Sequence, residues 1–103
     1  MADNTLETLY TQMFAGIAEL INGEGGSGRL QGLTLNEEGT AVIAELRAET
    51  PAFLTSLLEE IKDEVRQWRV NPFNGIALTD NRHLEFTLKT DNEIERLYRE
   101  AGL

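Results

Sequence analysis

The chain has 103 residues and no cysteine, and its nine Lys and Arg stand against eighteen Asp and Glu for a formal charge of −9. That length closes one hydrophobic core but not two, and the missing cysteines remove disulfides, thiolate nucleophiles and Cys-ligated metals. The negative charge repels phosphate backbones and anionic membranes, so a single domain over 1-103 is expected, with no direct nucleic-acid contact and no membrane contact.

Negative charge also serves solubility in small domains of no special function. The opening MADNTLETLY lacks the basic-then-apolar pattern of a signal peptide, and no apolar run approaches the roughly 18 residues of a membrane span. A cytoplasmic chain is the expectation.

The first expected element is a helix from Asn4 to Asn22, with Asn4 and Glu7 as a capping box and Gly23 as the stop. Its apolar set is wide: Leu6, Leu9, Tyr10, Met13, Phe14, Ile17, Leu20 and Ile21, with Ala15, Gly16 and Ala18 small enough for another backbone to come close. Glu7 and Glu19 are its only charges. Such a helix is either sandwiched in the core or shared with a second molecule. In the second case Leu6, Tyr10, Met13, Phe14 and Ile17 form the seam of a homodimer.

Residues 23-28, GEGGSG, read as a flexible connector. A phosphate cradle needs a strand before the glycines and a helix after them, and here the order is helix then extended chain. A short strand follows, Arg29 to Leu35.

Residues 36-48 have two readings. Asn36-Glu37-Glu38-Gly39 fits a type I turn leading into a second strand, Thr40 to Leu46. Asn36 also fits a helix cap with acids in the first turn, and Ala41, Ala44, Glu45, Leu46, Arg47 and Ala48 are better helix than strand formers, which favours a helix.

On the helical reading, Leu33 to Leu46, LTLNEEGTAVIAEL, resembles the step from wing strand to following helix in MarR-type winged-helix regulators. On the hairpin reading, the same stretch after an acidic N-terminal helix is similar in outline to class I type III secretion chaperones, in which further strand would come next. Neither resemblance carries a functional residue across.

The strongest helix signal runs from Thr50 to Trp68. Thr50 caps it and Pro51 sits where no N–H is needed. Phe53, Leu54, Leu57, Leu58, Ile61, Val65 and Trp68 share one face, and Glu59, Glu60, Lys62, Asp63, Glu64 and Arg66 the other. Glu59 with Lys62 and Asp63 with Arg66 form i,i+3 pairs.

After Pro72 a hairpin is expected, Gly75 to Thr79 and His83 to Leu88 about an Asp80-Asn81 turn, with Leu84, Phe86 and Leu88 facing inward. A last helix starts with Thr90 and Glu93 as a capping box, buries Ile94, Leu97 and Tyr98, and stops at Gly102. The fold class expected is α+β, in the order α-β-α-α-β-β-α, with helices on one face of a small antiparallel sheet.

The residue types offer little catalytic chemistry. His83 is the lone histidine, with Glu85 as the nearest acid on its strand face, and neither Ser27 nor Ser56 stands where a nucleophile is activated. Glu59, Glu60, Asp63 and Glu64 have carboxylate oxygens for a hard cation, but Lys62 and Arg66 compete for them and no EF-hand or ExxH pattern occurs.

The expectation is a non-enzymatic domain with no cofactor and no metal, binding a protein partner of basic character. It would act as a small inhibitor, regulator or assembly chaperone, or else as an oligomeric phage or particle component. Acidic helix faces at Glu37, Glu38, Glu45 and Glu49 and at Glu59, Glu60, Asp63 and Glu64 would suit a DNA mimic. Trp68 and Phe73 are candidate anchors for the partner if exposed, and core residues if they fold back over the sheet.

Overall fold

The structure, a computed structural model, describes residues 5–23 and 29–102, without the side chains of 5–7. The Asn4–Glu7 capping box, the Leu6 side chain, Ser27 and nearly all of the glycine connector lie outside that description.

Helix α1 (Thr5–Asn22) leads into strands β1 (Leu30–Leu35) and β2 (Ala41–Leu46). Helix α2 (Pro51–Arg66), strands β3 (Phe73–Leu78) and β4 (His83–Leu88), and helix α3 (Asp91–Glu100) complete the chain. The strands form one antiparallel sheet in the order β1-β2-β4-β3, so two hairpins join side by side through β2 and β4. The fold is α+β.

The three helix ends that carry clear signals behave as their chemistry requires. Thr50 accepts from the Phe53 amide through its hydroxyl and Thr90 does the same for Glu93, each at 3.2 Å. Gly23, with φ +68, turns the chain out of α1 while its amide still donates to the Glu19 carbonyl. Helix α2 ends at Gln67, well before Pro72.

The stretch 36-48 is a hairpin, which corrects the helix favoured from composition; the element order is α-β-β-α-β-β-α. Asn36 decides it locally. Its Oδ1 accepts from the amides of Thr40 (2.8 Å) and Ala41 (3.2 Å), its Nδ2 donates to Thr40 Oγ1, and Gly39 turns the chain at φ +71. Packing then outweighs propensity. Val42, Ala44 and Leu46 alternate onto one face of a strand bonded on both sides, and all three are buried. The helix implied by the winged-helix resemblance is therefore absent. The strand-turn-strand outline shared with type III secretion chaperones is present, but α2 rather than further strand follows it.

Register places Ala44 between Leu33 and Leu84, and Phe86 between Val42 and Ile76. These residues line the inner face. Helix α1 packs on α2 and β1, and α2 packs on β3, so the two helices lie side by side across the sheet. Leu9, Met13, Ile17 and Ile21 from α1 meet Leu54, Leu57, Ile61 and Val65 from α2 in a single core. The other sheet face presents Thr34, Glu45 and Thr87 to solvent.

Candidate functional site

The side-by-side arrangement of α1 and α2 leaves a groove of about 990 Å³ along their outer seam. Its floor is apolar: half-buried Leu20 and Gly16 from α1 and half-buried Trp68 just beyond the end of α2, with the core residue Ile61 beneath. Its walls are acidic. Glu19 rises from α1, and Glu60, Asp63 and Glu64 from α2, with Gln67 and Gly23 toward the ends.

The floor exists because α1 has a glycine where it faces the end of α2. A Cβ at Gly16 would lie 2.9 Å from Trp68 Cη2 and 3.2 Å from Cζ2, so the indole occupies the space a side chain would take. The small residues of α1 thus admit an aromatic ring and not another backbone. Trp68 remains half-buried, the surface end of an aromatic row that continues to Phe73 at 5.9 Å and on to Phe86 at 5.2 Å between centroids.

The wall carboxylates differ in how they are used. Asp63 holds Arg66 at 2.7 Å. Glu59, on the same helix but outside the groove, pairs with Lys62 at 3.8 Å. Glu19, Glu60 and Glu64 take part in no ion pair among the described residues. Among the described residues no Lys or Arg lines the groove. Arg66 stands beside it on Asp63, and Arg29, by Gly23, donates to the Ile21 carbonyl at 2.8 Å and spreads its guanidinium over Phe53 at 5.0 Å.

Of the partner-facing residues read from sequence, Glu60, Asp63, Glu64 and Trp68 come together here. Others do not. Met13 and Ile17 are 1% and 0% exposed and belong to the core, and Phe73, at 2%, is no surface anchor. A seam made of Tyr10, Phe14, Met13 and Ile17 is therefore not available on the folded chain: the apolar arc of α1 is wide because it meets the sheet and α2 at once. Tyr10 and Phe14 are half-buried against that core. Tyr10 is also engaged within the chain, its phenol donating to Asp91 Oδ1 at 2.7 Å, and burial, then this bond, push it up to about 12.

The acids in and beside the helix expected over 36-48 scatter in the same way. Glu37 and Glu38 stand in the β1–β2 turn, Glu45 on the outer sheet face, and Glu49 holds Arg47 at 3.0 Å. Local spacing does not mark Gly16, Glu19 and Leu20 as binding residues, since only the fold opposes them to Trp68. A glycine in mid-helix was their one visible signal.

His83 is bound by Asp80 in the turn and not by Glu85. Its Nδ1 lies 2.9 Å from Asp80 Oδ1, while Glu45 Oε2 stands 3.6 Å from Nε2. The Arg82 amide and then the His83 ring hold the Asp80 carboxyl below the usual carboxylate range. Ser56 lies exposed on α2, and the bonds of Asp80 to Arg82 and His83 clasp the hairpin. Among the described residues no group of three or more His, Asp or Glu is arranged to hold a metal ion, and no helix is long and apolar enough to cross a membrane.

No protein family matches this sequence, and neither a curated protein nor a solved structure is found to be similar to it.

Proposed function

We propose that the chain is a non-enzymatic, acidic protein-interaction domain of the cytoplasm, acting as a small inhibitor, regulator or assembly chaperone by holding another protein in the α1–α2 groove. The observation that carries this is the groove itself: half-buried Leu20 and Trp68 lie beneath Glu19, Glu60 and Glu64, which take part in no ion pair among the described residues. Aromatic residues set in a polar rim are the usual anchors of protein contacts. Assembly through the face of α1 is disfavoured by the core positions of Met13 and Ile17. A DNA mimic is disfavoured because only one of its two acidic helix faces forms.

The test compares proteins retained from the source cells by the wild-type chain and by E60K/E64K, both positions being exposed on α2. Supporting the proposal is a protein retained by the first and lost by the second, whose purified form binds the wild-type chain directly. Identical retention by both, or no protein that binds on purification, would overturn it.

A further inference from the structure

We infer that the occupant of the α1–α2 groove is a basic amphipathic helix of the partner, its apolar stripe on the half-buried Leu20 and Trp68 and its Lys or Arg side chains over Glu19, Glu60 and Glu64. This rests on the protein-binding reading above and specifies what is bound.

The groove's walls are two helices whose backbone groups are bonded within themselves, so it offers no strand edge. An extended peptide laid on this apolar floor would leave its own amides and carbonyls unpaired, whereas a helix brings its bonds with it. Charge fixes the sign. Of the four carboxylates that line the groove Asp63 is paired with Arg66, Glu19, Glu60 and Glu64 form no ion pair among the described residues, and Arg29 is directed at the Ile21 carbonyl. A second copy of this chain, itself at −9, would bring acid against acid.

Spacing matches a helix as well. Glu60 and Glu64 stand one turn apart on α2, about 6 Å along the axis at 1.5 Å per residue. Basic residues at i and i+4 of a roughly parallel or antiparallel helix share that interval. Glu19 on the opposite wall would meet a basic residue on the other flank of the apolar stripe.

The chain contains one tryptophan, so Trp68 reports on the floor without labelling. The probe is a synthetic peptide of about 18 residues, long enough for a helix to hold, made of Leu and Lys with leucines at helical spacing. Two controls share its length: a Glu-for-Lys counterpart, and a strictly alternating Leu/Lys peptide with strand periodicity.

The expected result is a blue shift of Trp68 emission and a gain in helicity with the first peptide alone. Affinity should fall about tenfold or more between low and physiological salt, as the attraction between exposed opposite charges is screened. E60K/E64K should weaken binding about tenfold or more. E37K/E38K, in the β1–β2 turn, changes the net charge equally and should leave affinity within about twofold, because screening makes the charge effect local.

Equal weakening by the two double variants would reduce the effect to net charge and overturn the inference. Binding by the alternating peptide, or an unmoved Trp68, would overturn it too, as would a doubled solution mass lost in E60K/E64K, which would seat a second copy in the groove. If a cellular partner still depends on Glu60 and Glu64 while the helical peptide leaves Trp68 unmoved, the protein-binding reading stands and the basic helix is withdrawn.

Discussion

Gly16 and Trp68 interlock: the indole of α2's C-terminal end fills the place where residue 16 of α1 would carry a side chain, 2.9 Å from the position of its Cβ. Two effects of opposite sign meet in Gly16→Ala. Alanine favours a helix interior over glycine by about 1 kcal/mol, and overpacking costs about 1–3 kcal/mol. The ring is only half-buried, so it can tilt toward the groove. A net loss of about 1 kcal/mol is expected in urea unfolding, with Trp68 emission shifted to the red. Gly16→Leu should lose more and close the groove.

The Asn36–Gly39 turn supplies the second prediction. Asn36→Ala removes three hydrogen bonds made by one side chain in an exposed turn and should cost about 1–2 kcal/mol. Gly39→Ala strains a φ of +71 with free space around it, so the loss of about 1 kcal/mol is conformational alone. Asn at position 39 should recover part of it, since Asn tolerates the left-handed region. Chemical unfolding of the three variants checks both values.

That turn also shows what could be read from the chain and what could not. Helix α2 was legible because Leu54, Leu57, Ile61 and Val65 repeat at helical spacing behind a Thr-Pro start, and β4 because Leu84, Phe86 and Leu88 alternate. Strand β2 was not, because Ala41 and Ala44 are helix formers by local preference and are held in strand form by neighbours on both sides. Met13 and Ile17 were legible as apolar but not as core, since the arc of a helix does not say which of its sides meets the sheet. Glu60 and Glu64 announced an acidic surface; that it borders Trp68 and Leu20 is a relation between distant segments, which no local spacing encodes.

Tyr10 ties α1 to the first turn of α3 and makes stability depend on alkaline pH. Its phenol is raised from 10.0 to about 12 in the folded chain. The folded state then binds the proton more tightly, so this contribution is complete below pH 10 and disappears as pH rises from there through about 12. Tyr10→Phe should lose about 0.5–1.5 kcal/mol at neutral pH. Unfolding curves between pH 9 and 12 should fall less steeply for Tyr10→Phe than for the wild type, once unfolding is compared at matched ionic strength.

Arg29 closes the C-terminal end of α1 and covers Phe53 at the start of α2. Arg29→Met keeps an apolar stem but removes the bond to the Ile21 carbonyl and the cation above the ring. A loss of about 1–2 kcal/mol is expected. Arg29→Lys should recover less than half, because an ammonium does not reproduce the flat guanidinium that serves both partners. Thermal unfolding of the pair measures the difference.

The junction of β2 with β4 bears on how the molecule assembles. Each hairpin closes over a short turn and is a microsecond event, but pairing Ala44 with Leu84 must bring together chain separated by the whole of α2. Formation of α2 shortens that loop, so the α2–hairpin unit is the natural nucleus. Substitutions at Leu57 or Val65 should slow refolding. Helix α1 packs chiefly on α2 and β1, and substitutions on it should chiefly hasten unfolding. The groove has one wall from each class. Its α1 wall is therefore the first part of the molecule expected to open in hydrogen exchange, and an occupant bridging both walls would slow that opening before it raised global stability.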